Sequence, residues 1–291
     1  MKYIFIINPK SGVKLNKYIE KKINDRFSKF EGEFKIEYTQ YKKHARELAL
    51  KYYEKGYRNI ITVGGDGTIK EIASFCVGKK DVAIGIIPCG SGNGFARNLN
   101  IPLDIDKAID IIFKNRVRKI DCGIVNGDIF LNTCGTGFDA KIAILFNKNK
   151  RIRGLLPYFI NGIILYFNFK PYKTEIYLDG EKKVFYPLIA TVSNGRQYGG
   201  GAVISPNSYL DDGYIELIVI ENVNFWKFLS NLKSLFDSSI LEKNFVKSFK
   251  STNFRIVLPP QSIYHLDGED YITRDGVLNI SVLSKSLNVI S

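Results

Sequence analysis

Three short segments combine glycines with groups that can hold phosphate: NPKSG at 8–12, GGDGT at 64–68 and PCGSGNG at 88–94. Glycine leaves the backbone bare, and the exposed N–H groups of such loops bind anions, phosphate above all. A carboxylate such as Asp66 repels phosphate on its own, but it suits the site if Mg²⁺ lies between acid and phosphate. These residue types therefore predict a site for a nucleotide with its metal ion.

Each segment follows an apolar strand-like run and precedes a helical pattern. The predicted strands are Lys2–Ile7, Phe34–Tyr38, Asn59–Val63 and Val82–Ile87, and the predicted helices are Val13–Phe30, His44 to about Lys55, and two that begin near Thr68 and Phe95. This alternation predicts a parallel sheet with helices on both faces. The three loops then lie at the carboxyl ends of strands, where such folds bind ligands.

The glycine loops match neither GxxxxGK[ST] nor GxGxxG, so the P-loop and dinucleotide fingerprints are absent. Any single loop is most simply a turn that closes a strand. The three together favour a nucleotide.

The pattern changes at about residue 119. Two strand-like runs flank Asn126-Gly127-Asp128, two more flank Asp179-Gly180, and a helical insertion is predicted at 224–236. Such turns predict β-hairpins. We therefore expect an α/β domain at 1–119 and a mostly antiparallel β domain at 120–282.

The composition limits the class of protein without choosing a ligand. Lys plus Arg (42) exceed Asp plus Glu (29), which gives a net charge of +13. This charge suits nucleic acid, an anionic membrane or phosphorylated ligands. Four cysteines without a CxxC pair and only two histidines favour a reduced, cytoplasmic protein without a His-rich zinc site. The N-terminal run is too short for a signal peptide, and the uncharged window 154–169 is too short and too interrupted to span a membrane.

The segment GGDGT, preceded by NPKSG and followed by PCGSGNGFARNLNIP, resembles the diacylglycerol kinase catalytic-domain family of lipid kinases. This family includes bacterial soluble diacylglycerol kinases and the sphingosine and ceramide kinases. The resemblance continues through Thr39 with His44-Ala45, GTGFDA at 135–140, SNGRQYGGGAVISPNSYLDDGYIEL at 193–217 and LDGE at 266–269. One departure is Gly90-Ser91-Gly92-Asn93-Gly94, where many bacterial members have Gly-Thr-x-Asn-Asp.

The resemblance implies a Rossmann-like nucleotide domain and a C-terminal antiparallel β-sandwich domain, with the active site in the cleft between them. It also implies that a last strand, at about 283–291, returns to the first domain. Asp66 would position Mg-bound phosphates. ATP would contact Asn8, Pro9, Lys10, Ser11, Gly12, Thr39, Gly64, Gly65, Asp66, Gly67, Thr68, Ile69, Lys70 and Ser91.

The catalytic and structural-metal residues are likewise implied by resemblance. Asp267 would be the general base, with Glu269 beside it. A structural Mg²⁺ would bind Asp212 and the carbonyls of Tyr209 and Tyr214, with Asp211 as the alternative if the register shifts by one residue. The residues alone do not distinguish Asp267 from Asp179, because LDGE occurs at both places.

Asp139 in GTGFDA is interpreted as a helix cap rather than a catalytic acid. The two histidines, His44 and His265, are interpreted as structural residues.

The sequence therefore predicts an ATP- and Mg²⁺-dependent kinase for a lipid hydroxyl, with diacylglycerol as the first choice of substrate. A sphingoid base, ceramide or another lipid alcohol is the second choice. An NAD kinase-like enzyme and a non-catalytic nucleic-acid-binding protein are more distant alternatives, and no nucleic-acid partner is expected. Basic residues at 141–153 and aromatic residues at 225–236 predict peripheral attachment to an anionic membrane. A homodimer is left open.

Overall fold

The computed structural model describes residues 1–11, 16–148 and 155–291, with the backbone alone for residues 16, 146–148 and 155–161. The chain forms two compact units. The α/β unit contains Met1–Cys122 and Ser284–Ser291, and the β unit contains Gly123–Leu283. The boundary predicted from sequence lay at 119.

The α/β unit is built on a parallel sheet. Its strands are β1 (Lys2–Ile7), β2 (Glu33–Tyr38), β3 (Asn59–Gly64) and β4 (Ala83–Pro88), in the order β2-β1-β3-β4. The end of the last strand, β18 (Val277–Ile290), extends this sheet, with Asn288 beside Ala83 in a parallel pair. Strands β1, β3 and β4 are almost wholly buried, which explains their continuous apolar runs.

The described residues of this unit form five helices: α1 (Asn16–Phe27), α2 (His44–Glu54), α3 (Asp66–Cys76), α4 (Gly94–Asn98) and α5 (Ile105–Lys114). The predicted parallel α/β architecture is confirmed. The start predicted for the first helix, Val13, lies outside the described residues. Helix α5 was missed by the sequence reading, although the Asp104 side chain caps it by accepting the Lys107 N–H, a standard start signal.

The β unit, as far as it is described, is a sandwich of two antiparallel sheets with a separate two-stranded sheet. Its strands are β5 (Val117–Val125, which begins in the α/β unit), β6 (Asp128–Phe130), β7 (Thr133–Gly137), β8 (Thr174–Leu178), β9 (Glu181–Phe185), β10 (Pro187–Ser193), β11 (Gln197–Gly199), β12 (Ala202–Val203), β13 (Ile215–Glu221), β14 (Val246–Ser251), β15 (Asn253–Val257), β16 (Ile263–Leu266) and β17 (Glu269–Ile272). One sheet has the order β14-β13-β10-β7-β16-β17. In the other, β15 lies between β18 and β8. Phe130, Leu217 and Phe254 lie in the core that both sheets share, which confirms the predicted sandwich.

The predicted hairpin turns of the β unit are present. Asn126-Gly127, Asp179-Gly180 and Asp267-Gly268 all have positive φ, as type I′ turns require.

Helices α6 (Phe138–Lys148), α7 (Leu155–Asn168) and α8 (Phe225–Asn231) also belong to the β unit, and 3₁₀ turns at Leu232–Leu235 and Ile240–Glu242 follow α8. Residues of these helices pack with the outer face of the six-stranded sheet, where Phe138, Ile189 and Ile220 share a cluster. The 224–236 insertion was predicted as helical, and the interpretation of Asp139 as a helix cap implied a helix where α6 begins. Within the described ranges, none of the helices has the length and apolar character needed to cross a membrane.

Candidate active site

Side chains tie the first two glycine loops of the α/β unit together. Asn8 Nδ2 donates to Thr68 Oγ1 at 2.9 Å. Asn8 also organises its own loop, because its Oδ1 accepts the Lys10 N–H at 3.0 Å and its carbonyl accepts the Ser11 N–H at 3.0 Å. The segments after β1 and β3 thus form one connected edge.

Asp66 ties the second loop to the third. Its carboxylate accepts the N–H groups of Gly94 at 3.1 Å and Phe95 at 3.0 Å, the first two residues of α4. Unpaired N–H groups at a helix start favour a carboxylate. In this structure the acid of GGDGT therefore caps the helix after the third loop.

Close contact between these two loops explains two of the glycines. A Cβ on Gly90 would lie 2.6 Å from the Gly65 Cα, and a Cβ on Gly65 would lie 3.1 Å from the Gly90 Cα. Gly67 is different, because a Cβ there would meet nothing within 4 Å. The bare backbone at 65 and 90 is needed by the loops themselves, and the open space at 67 leaves room for a ligand.

The other residues predicted to contact ATP are placed as follows. Thr39 is buried after β2, and its N–H donates to the Ile7 carbonyl. Lys70 is buried on α3, and Ile69 lies fully in the core, where its N–H donates to the Gly65 carbonyl at 3.1 Å. Pro9, Ser11 and Gly64 lie within the first two loops, and Lys10 and Ser91 are exposed. Gly12 lies outside the described residues.

The β unit contains an apolar cavity of about 420 Å³. It lies between the outer face of the six-stranded sheet and the helices. Its wall is mainly hydrocarbon from Phe138, Ile142, Ile189, Ile204, Ile220, Phe228, Leu232, Leu235, Ile240 and Phe245. The polar part of the wall contains Asp139, Tyr198, His265 and Asp267. These residues come from distant parts of the chain, so no sequence motif announced the cavity.

Asp267 is held firmly in this wall. Its carboxylate accepts the backbone N–H groups of Leu131 at 2.9 Å, Asn132 at 2.7 Å and Thr133 at 3.1 Å. Glu269 follows two residues later, where its carboxylate accepts the Tyr271 hydroxyl at 3.4 Å. Both predicted acids therefore lie on or beside one tight turn, and Asp267 lines the cavity.

Asp139 is a buried member of the wall that the sequence reading set aside as a helix cap. Its Oδ2 accepts the Tyr198 hydroxyl at 3.1 Å and the Thr191 hydroxyl, and it lies 3.2 Å from His265 Nε2. Burial, and then the Asp139 charge, raise the pKa of Tyr198 well above its usual value, so the phenol remains a donor. Asp139 stands in the motif GTGFDA, but its role could not be predicted from that motif. Its hydrogen-bond partners lie on three strands that are distant in the sequence.

The acids predicted to meet metal ions are engaged by other donors. Asp212 Oδ2 lies 2.8 Å from Lys250 Nζ, and its Oδ1 accepts the Tyr214 N–H at 3.0 Å. The Lys250 ammonium supplies the positive charge beside Asp212 in this structure, and a structural Mg²⁺ held by Asp212 with the Tyr209 and Tyr214 carbonyls stays a prediction. Asp211 is exposed. No group of three His, Cys, Asp or Glu side chains suited to a metal occurs in the described part of the chain.

Comparison with known proteins agrees with both units. Residues 2–125 match the family described as diacylglycerol kinase catalytic domain, and residues 132–291 match the YegS C-terminal NAD kinase beta sandwich-like domain. A probable lipid kinase YegS-like protein of Chromohalobacter salexigens is 33% identical over 198 residues, which cover 65% of this chain and 61% of that protein. A diacylglycerol kinase of Bacillus subtilis is 29% identical over 228 residues, covering 77% and 74%. A solved structure described as a putative diacylglycerol kinase from Bacillus anthracis str. Sterne matches with a TM-score of 0.81 at 25% identity, over 99% of this chain and 96% of that one.

The matches show that this protein is a kinase that acts on an alcohol group. The chain belongs to the diacylglycerol kinase catalytic-domain family, with a YegS-type C-terminal domain.

Proposed function

We propose that this kinase transfers the γ-phosphoryl group of ATP to the hydroxyl of a neutral lipid, with diacylglycerol giving phosphatidic acid as the first choice. The observation that supports a lipid most directly is the hydrocarbon-lined cavity with Asp267 in its wall. Apolar cavities with a few fixed polar groups are typical small-molecule sites. A polar dinucleotide, the acceptor of an NAD kinase, would not be favoured by such walls.

The polar groups of the cavity also bear on the class of lipid. Asp139 is surrounded by hydroxyl and imidazole partners, and Asp267 accepts three backbone N–H groups. A cationic amine would have to compete with these donors for a buried carboxylate. The cavity therefore favours a neutral lipid alcohol over a sphingoid base.

The loops of the α/β unit are proposed to bind ATP. Helix α3 begins directly after β3, and a helix N-terminus attracts phosphate. Mg²⁺ would arrive with the nucleotide, since this ion keeps several waters and binds mainly to substrate phosphates. Because Asp66 caps α4, we assign it the role of holding the second and third loops together.

Phosphoryl transfer depends mainly on positioning and charge stabilisation, because its transition state is loose. The lipid oxygen forms a bond to Pγ, the bond from Pγ to the β–γ bridging oxygen breaks to release ADP, and the hydroxyl proton passes to a carboxylate that acts as general base. We assign that base to Asp267, because it lines the cavity and three N–H donors fix its direction. Glu269 on the same turn is the second acid.

Access to lipid would require contact with a membrane. Trp226 is 76% exposed and Phe167 is 68% exposed, and both rings lie beside Phe225, at centroid distances of 5.4 and 5.0 Å. The same segment contributes Phe228 to the cavity wall. Aromatic rings are well suited to the membrane interface. We propose that this surface contacts an anionic bilayer. Of the basic residues predicted to assist, Lys150, Arg151 and Arg153 lie outside the described residues.

The test is transfer of radiolabelled phosphate from ATP to diacylglycerol, ceramide, sphingosine and NAD, with and without Mg²⁺. Lipids would be presented in mixed micelles, and Asp267→Asn would be the control. Product from diacylglycerol that depends on Asp267 is the expected result. Phosphorylation of NAD alone would contradict the proposal.

A further inference from the structure

Gly135 leaves the space in which the side chains of Asp139 and His265 meet. Gly135 on β7 pairs with Thr191 on β10 and with His265 on β16. A Cβ at position 135 would overlap Oδ2 of Asp139 and would lie 2.5 Å from Nε2 of His265. The missing side chain thus lets the acid of α6 reach the histidine across the sheet.

The pair is almost inaccessible to solvent, since the side chains are 9% exposed for Asp139 and 3% for His265. Burying a carboxylate is costly unless donors satisfy it. An apolar side chain at position 139 would extend the cavity without that cost. The presence of a buried acid at this position therefore needs a reason other than packing.

The other ring nitrogen of His265 contacts the Asp267–Gly268 turn. His265 Nδ1 accepts the Gly268 N–H in a long hydrogen bond of 3.4 Å. Because Nδ1 accepts, the ring proton belongs on Nε2, facing Asp139. Asp139 thereby fixes the tautomer that can hold Gly268. Asp267, which precedes Gly268 in the turn, is held separately by the N–H groups of residues 131–133.

We propose that Asp139 and His265 are positioning residues that hold the Asp267–Gly268 turn from the cavity side. Its consequence for catalysis rests on the proposed lipid kinase activity. A shift of about 1 Å in a reacting group can cost on the order of 100-fold in rate, so the pair acts on turnover rather than on substrate affinity. Gly135 is part of the same arrangement, because a side chain at this position would separate Asp139 from His265.

Two substitutions of the histidine separate its two contacts. His265→Asn keeps an acceptor near the position of Nδ1 and loses the link to Asp139. His265→Gln keeps a donor near Nε2 and loses the acceptor for Gly268. We expect kcat to fall by about 10-fold or more for His265→Gln, with KM for ATP and lipid unchanged, and His265→Asn to retain most of kcat. Gly135→Ala, which separates the pair without altering either member, should also lower kcat.

The control is Glu216→Gln, which changes a buried acid of the same sheet that Ser205 and Ser208 hold outside the cavity wall. It should lower thermal stability and leave kcat per folded molecule unchanged. Equal kcat values for His265→Asn and His265→Gln, or a rise in lipid KM in place of the fall in kcat, would overturn the positioning role.

Hydrogen exchange gives a readout that does not depend on activity. The Gly268 amide should exchange faster in His265→Gln than in His265→Asn, which should resemble the unmodified protein. If no lipid is phosphorylated and this difference persists, the proposed substrate fails and the positioning pair stands. If the two variants exchange alike, the pair is not holding the turn.

Discussion

The glycine loops of the α/β unit and the cavity of the β unit are built in opposite ways. The loops use backbone atoms of three short contiguous segments, and their one acid, Asp66, accepts N–H groups of the third loop. The cavity uses side chains from α6, β10, β13, α8 and β16. A site made of backbone is visible as a motif, whereas a site made of scattered side chains is not. The same contrast indicates which substitutions should affect which substrate.

The largest effect is expected at the acidic turn of the cavity. Asp267→Asn should lower kcat by roughly 100-fold or more, the scale of general acid–base catalysis, with little change in KM for ATP. Phosphate transfer to diacylglycerol measures this, and circular dichroism checks the fold.

Glu269→Gln is the matched control on the same turn, and a smaller loss of about 10-fold is expected there. If the two losses are reversed, Glu269 is the base, and Asp267 serves to anchor the turn through its three N–H partners.

Alanine substitutions at Gly67 and at Gly90 should have different effects. Gly67→Ala adds a Cβ in open space, so the free energy of unfolding should not fall. If ATP approaches that backbone, its affinity should fall by about 10-fold, the scale of one lost hydrogen bond to a charged group. Isothermal titration with an ATP analogue gives the affinity.

Gly90→Ala places its Cβ 2.6 Å from Gly65 and should destabilise the α/β unit by about 1–3 kcal/mol, as overpacking does. Urea unfolding measures this. A Gly90→Ala protein of unchanged stability would show that the loops do not need this close contact.

Filling the cavity should affect the lipid alone. Ala143→Phe adds a ring to its wall, so KM for long-chain diacylglycerol should rise by about 10-fold, the scale of misfit in an apolar pocket. A short-chain diacylglycerol should be affected less. An equal rise for both lipids would place the acyl chain elsewhere.

The smallest effect concerns the exposed aromatic surface. Trp226→Ala should weaken binding to anionic vesicles by roughly 5-fold, because one ring leaves the interface. Tyr186→Ala is the matched control, since this ring is also well exposed, at 60%. Co-sedimentation measures both, and equal losses would remove the assignment of this surface to the membrane.

Much of the local architecture could be predicted from the residues alone. Apolar runs fixed β1, β3 and β4 of the parallel sheet, Asn-Gly and Asp-Gly pairs fixed the hairpins, and the glycine motifs located the loops. These features depend on neighbouring residues, so they can be read along the chain. Helix α7 was not predicted, because the apolar stretch that forms it is interrupted by Pro157 and Gly162 and has no clear helical period.

The roles of the acids depend on contacts between residues that are distant in the sequence. Asp66 became a cap because α4 begins beside it, and Asp212 was neutralised by Lys250 from another strand. Asp139 met His265 because β7 and β16 are neighbours and Gly135 leaves space between them. A carboxylate takes its role from the donors that surround it. Those donors come from residues up to 126 positions away in the case of Asp139 and His265, beyond the reach of any local pattern.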